Sequence, residues 1–199
     1  MTIFSFPQIT PNSSSFELVT NTKTFRSPIT NAVQTQNRQG SLWKASLSFE
    51  NLRGDDRAEM QAFLAKLNGQ EHRFYLQDHS FTRRGTGGGT ISVRGAGQTG
   101  STLEVDGASF SVTNFLKAGD YVAFNNEFHM VTANCDSNGL GWVSIPIAPP
   151  IRKPTVDNDL VDYNVPVLGV FMLASKSGWN NGLAGLSSFN IDAIEDVLA

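Results

Sequence analysis

The residues able to do chemistry are few and scattered. His72, His79 and His129 are the only histidines, and Glu71 and Asp78 beside the first two invite a metal reading. None shows the i, i+4 or Cys/His spacing of a zinc site, so all three read as solvent-facing. Cys135, in the run Asn134-Cys135-Asp136-Ser137-Asn138-Gly139, has no local base or orienting group, which a nucleophile needs. Asp157, Asp159 and Asp162 could offer carboxylates to calcium, but the EF-hand glycine and closing glutamate are missing, so the stretch reads as a solvated turn. Arg83-Arg84-Gly85-Thr86-Gly87-Gly88-Gly89 could be a phosphate cradle. It has no Gly-Lys-Ser/Thr ending and no clear following helix; four glycines in five residues mark a hinge or a domain junction instead. Asn12-Ser13-Ser14 matches the glycosylation triplet, which means nothing without a secretory route. With no acid/base pair, nucleophile elbow or cofactor loop, the expectation is a structural or assembly protein. It carries no catalytic residue, no cofactor and no metal.

The elements that must position any site centre on Trp43 to Leu76. Trp43, Ala45, Leu47 and Phe49 alternate with Lys44, Ser46 and Ser48, the period of a strand with one wet side. Met60, Phe63, Leu64 and Leu67 then fall at i, i+3, i+4 and i+7, one helical face. The spacing predicts a helix over 55–68, started by an Asp56/Glu59 capping box and stopped at Asn68-Gly69. Phe74-Tyr75-Leu76 reads as the next strand. The expected core is thus Trp43, Leu47, Phe49, Met60, Phe63, Leu64, Leu67, Phe74 and Leu76.

Upstream, residues 1–40 are polar and broken by Pro7, Pro11 and Pro28. Phe16 to Val19 and Thr22 to Phe25 are strand candidates. Asn31 to Gly40 is either an arm ordered against a partner or an edge hairpin of the same domain. Beyond the glycines, residues 90–148 hold six short apolar pieces, among them Phe110-Ser111-Val112, separated by turn formers. That pattern predicts a small β-barrel or sandwich. Pro149-Pro150 closes this unit. Val167 to Leu173 is a strand, a Gly/Asn-rich loop runs to Gly185, and Phe189, Ile191 and Ala193 alternate in a last strand. Ile194 to Leu198 is alternatively a short helix. The fold class expected is mainly β with one α-helix: a β-sandwich-like domain with a packed helix (residues 1–82 and 151–199) and an inserted all-β domain (residues 84–150).

Composition bounds the function. The chain has 199 residues and a net charge of −3, which argues against wrapping nucleic acid through a basic face. A single cysteine excludes an internal disulfide. No apolar run is long enough to span a membrane, and Met1 to Pro7 lacks the form of a signal peptide. Synthesis in a cytoplasm is expected.

Gly40-Ser41-Leu42-Trp43-Lys44-Ala45-Ser46-Leu47, the helix ending Ala62 to Gln70, and Arg73-Phe74-Tyr75-Leu76-Gln77-Asp78 form an ordered set of phrases. It continues through Gly97 to Gly100, Leu116 to Asp120, Pro149 to Arg152 and Val170 to Leu173. Together they resemble minor tail proteins, especially distal tail proteins, of long-tailed (siphovirus-type) bacteriophages. The resemblance covers most of residues 40–175. It implies a hexameric ring adaptor at the virion tail tip, joining a tail tube protein to hub and fibre proteins. DNA would pass through the lumen without specific binding. The sequence departs from the family pattern in having its second domain inserted rather than appended. A competing reading is a tail-associated binding module whose inserted domain stacks host-surface carbohydrate on Tyr121, Phe128 or Trp142. A tail-associated hydrolase is a third class, for which no polar pocket is legible.

Overall fold

The structure, a computed structural model, describes residues 1–38, 40–164, 168–175 and 177–197. The fold is mainly β with one α-helix. Among the described residues fourteen strands run in chain order: β1 (Ile3–Ser5), β2 (Ser13–Val19), β3 (Thr22–Arg26), β4 (Val33–Asn37), β5 (Leu42–Leu52), β6 (Arg73–Leu76), β7 (Gly89–Val93), β8 (Gly100–Ala108), β9 (Tyr121–Phe124), β10 (Glu127–Val131), β11 (Val143–Ile151), β12 (Gly169–Leu173), β13 (Gly178–Asn181) and β14 (Ser187–Glu195). The helix α1 (Gly54–Leu67) follows β5.

The first sheet has the order β1-β6-β12-β14-β5-β2, with β13 paired to β14. All its pairings are antiparallel except β1 with β6. On β5 the alternation buries Trp43, Ala45, Leu47 and Phe49, because period two puts them on one face. Met60, Phe63, Leu64 and Leu67 of α1 are buried over one end of that face. There Phe63 meets Phe74 and Phe6 edge-on, at 5.6 and 5.1 Å between ring centres. Leu76 is buried alongside.

The helix starts one residue earlier than the spacing predicts. Its N-cap is Arg53, with no side-chain cap bond; Asp55 and Asp56 sit inside the first turn, where carboxylates meet the positive end of the dipole. Asn68 ends the helix in the left-handed region, its N–H donating to the Ala65 carbonyl.

The second sheet, β7-β8-β11-β10-β9, is contiguous in sequence. It has five strands where the apolar pieces suggest six: Phe110 to Val112 is a turn, with Phe110 exposed. Pro149 and Pro150 lie within β11, with Pro146, rather than after it, and the β11–β8 register shifts between Pro146 and Ile151, as expected where prolines cannot donate to a ladder. The edges β7 and β9 are tied by the returning chain: Leu160 bridges to Ser92 and Asp162 to Ala123. The segment Gly178–Asn181, within the expected Gly/Asn-rich loop, is strand β13. Ile194 and Glu195 belong to β14 rather than to a short helix, whereas Val167 and Leu198 lie outside the described residues.

The two sheets share a wall. On β9, Tyr121 and Ala123 enter the core of the first sheet, while Val122 and Phe124 enter that of the second. Phe128 of β10 sits in the first core against Trp43, Tyr121, Phe16 and Phe171. The helix therefore covers one end of the first sheet and the β9–β10 hairpin covers the other. A strand pair buried on both sides needs apolar residues at nearly every position, and β9 is buried at all four.

Candidate interaction surfaces

A buried ionic cluster ties the shared wall to the first sheet. Period two along β10 sends Phe128 and Met130 one way and Glu127 and His129 the other. Glu127 and His129 are fully buried. Arg152, just past β11, donates through both terminal nitrogens to Glu195 of β14 at 2.7 and 2.6 Å. Its Nη1 also donates to the Ser41 carbonyl, and its Nε reaches Glu127 at 3.4 Å. Glu195 accepts the backbone N–H groups of Trp43 and Phe128, both at 3.0 Å. Glu127 accepts those of Arg152 and Lys153. Burial pushes the Glu127 carboxyl up, but bonds from His129 and from the Arg152 backbone, with the Arg152 charge, outweigh it and hold the group below its ordinary value. His129 places Nδ1 2.8 Å from the Pro149 carbonyl and Nε2 3.1 Å from Glu127. Two carboxylates thus face one guanidinium and one imidazole. The arrangement is a brace across two sheets.

The histidine expectation changes accordingly. His129 is a buried bridge, because its alternation is shared with the ionic cluster. His72 and His79 are partly buried. His79 lines a hollow of about 210 Å³ with Phe6, Pro7, Ile9, Tyr75 and Gln77, and burial lowers its pKa. Cys135 is buried, which pushes its thiol up to about 11; an inert thiol is the result. Asp157 accepts the Gly95 N–H at 2.7 Å, and burial raises the Asp162 carboxyl. Among the described residues, no three of His, Cys, Asp and Glu converge on a metal position.

The glycine-rich junction is clamped. Asp120, fully buried, accepts the N–H groups of Arg84, Gly85 and Lys117 at 2.8–2.9 Å. A Cβ on Gly85 would stand 2.4 Å from the Phe115 carbonyl oxygen, and one on Gly87 2.7 Å. These glycines serve close approach of two backbones.

The aromatics proposed to face ligand divide. Tyr121 and Phe128 are buried because they form the shared wall, so neither is available for stacking. Burial, with Asp78 beside it, pushes the Tyr121 phenol up to about 12. Trp142 alone is presented, 39% exposed, in the neighbourhood of exposed Phe110 and Leu140. The Arg94 guanidinium lies 4.3 Å over its ring.

The ribbon β3–β4 is an exposed feature. Its pairing runs from Thr22↔Asn37 to Arg26↔Val33, and among the described residues neither strand pairs with another. It prolongs the β2–β5 pair, which ends at Val19↔Leu42, so it stands out as an arm. Every residue of β3 is exposed. Phe25, Val33 and Ile29 at the turn are 47%, 60% and 90% exposed.

Comparison of the chain with known protein families and with curated protein sequences finds no match.

Proposed function

We propose that this chain is a non-enzymatic subunit of a phage tail tip, assembling as a sixfold ring between a tail tube protein and hub and fibre proteins. The observation that carries the reading is the ordered set of tail-protein phrases spread over residues 40–175. Two further features support it. A two-stranded ribbon is marginal alone in water, so the β3–β4 arm, exposed on both faces, is suited to ordering on a neighbouring subunit. The chain's buried charged groups are engaged internally: Glu127, His129, Arg152 and Glu195 brace two sheets, and Asp120 holds a backbone junction. The net charge of −3 suits a lumen past which DNA slides. The virion tail tip is the location this implies.

The test is imaging of intact particles, or of the protein mixed with its tube and hub neighbours. Six copies in one ring at the tail tip is the expected result; absence from the tip, or one or three copies there, ends the ring reading. The carbohydrate-binding alternative then rests on Trp142, whose exposed ring is the observation in its favour. Trp142→Ala would have to abolish binding of the protein to host-surface glycans.

A further inference from the structure

The arm and the turn at residues 155–162 are complementary. Residues 20–40 contain Lys23, Arg26 and Arg38 and no Asp or Glu, so the arm carries +3. The rest of the chain carries 18 carboxylates against 12 Lys and Arg, a balance of −6. Among the described residues no carboxylate pairs with Lys23, Arg26 or Arg38. Arg26 and Val33 are directly opposite in the ribbon, hence on one face, with Ile29 beyond them at the turn. From Thr22 to Arg26 the paired strand reaches roughly 13 Å at about 3.3 Å per residue, and the turn carrying Ile29 lies beyond it. Basic and apolar side chains are thus held far from the chain's own core.

The opposite pattern occurs at residues 155–162. This segment has Asp157, Asp159 and Asp162 and no Lys or Arg. Val156 and Leu160 are 63% and 66% exposed, four residues apart and flanking Asp157 and Asp159. The turn is rigidly held. Thr155 is buried and accepts the Gln98 N–H, the Asn158 N–H donates to the Val93 carbonyl, and Val93 donates to Asp159. Val161 donates to Ile91. Arg83 is engaged with Tyr163 and Asn164, and Arg94 with Glu104 and Trp142.

We infer that the β3–β4 arm of one copy docks on the Val156–Leu160 turn of the next. Val33 and Ile29 then cover Val156 and Leu160, and Arg26 meets Asp157 or Asp159. Burying both pairs of side chains together removes exposed apolar surface that each patch keeps in the single chain. The inference rests on the ring reading above and names its contact. Arm and turn are different patches of one chain, so the contact is heterologous and propagates from copy to copy. One arm tip covers less surface than a stable pair needs; closure of a ring supplies the avidity. A polyanion is the less favoured occupant, since three cations neutralise few phosphates.

The experiment is disulfide trapping in the full chain. Cys135 is buried with a raised thiol pKa, so it stays silent. The double variant Val33→Cys/Leu160→Cys, oxidised at high concentration, is expected to give a ladder of linked copies, whereas each single variant stays unlinked. Arg26→Glu in the double variant should reduce the ladder at least tenfold, and adding Asp157→Lys should restore it. Linkage in Val33→Cys alone would show arm meeting arm and overturn the docking. So would an unlinked double variant, whether rings are imaged or not. Salt-sensitive binding of duplex DNA that depends on Lys23, Arg26 and Arg38, without a ladder, would replace the second copy by a polyanion. A ladder that forms while particles lack six copies at the tail tip keeps the docking and removes the ring reading.

Discussion

Arg152 is the side chain on which both sheets depend. It faces two buried carboxylates, so Arg152→Ala strands Glu195 and Glu127 without their guanidinium. Breaking one side of a buried pair costs about 3–5 kcal/mol, and urea unfolding should lose stability on that scale. The pH dependence has a definite sign. Glu127 is held below its ordinary value of 4.5 in the folded chain. Its contribution is therefore complete above pH 4.5 and lost as pH falls through the lower folded value, where the unfolded chain binds the proton first. Glu127→Gln should be less stable at pH 7 and show a shallower acid limb; an unchanged limb would remove Glu127 from the acid response. Little in the sequence signals this cluster. Glu127 and His129 flank Phe128 in a strand that reads as half wet, and Glu195 lies 43 residues beyond Arg152 in the chain. Nothing local tells a strand's second face that it is a wall.

At the scale of elements, the helix was the most legible part. Its Met60, Phe63, Leu64 and Leu67 spacing is strong, and all four are buried. Phe63 lies between Phe6 and Phe74, so Phe63→Ala should lower stability by about 3–5 kcal/mol, measured by thermal or denaturant unfolding. Tyr121 and Phe128 misled as exposed rings because a strand buried on both faces has the composition of a sticky edge. The prolines of β11 misled for another reason. Proline ordinarily ends a strand, but here the register shift at Pro146 absorbs the missing donors. The arm was legible only as polar and anchor-free; its pairing into a ribbon is a long-range fact of register.

For the whole molecule, the shared wall decides what can be removed. Deleting residues 86–149 takes away Tyr121, Ala123 and Phe128, which cover Trp43, Phe16 and Phe171. It also takes away Glu127 and the Phe128 carbonyl that accepts the Trp43 indole N–H at 2.9 Å. The shortened chain should bind a hydrophobic dye and melt well below the full-length protein. An equal melting temperature with no dye binding would show that the first sheet closes without that wall.

The position of β14 has a consequence for the order of events during synthesis. This strand lies in the middle of the first sheet, between β12 and β5, yet it leaves the ribosome after all the others. Until it arrives, β2–β5 and β1–β6–β12 are two separate half-sheets with raw edges, and pairing across so long a separation is slow. The second sheet is contiguous over residues 89–151 and can form first. The nascent chain is thus a finished small sheet carrying two unfinished ones. Its Trp43 strand stays open to chaperones or to other chains until Ser187–Glu195 inserts. Pulse-labelling hydrogen exchange should protect β8 and β11 before β5; simultaneous protection would mean that the two sheets fold as one cooperative unit.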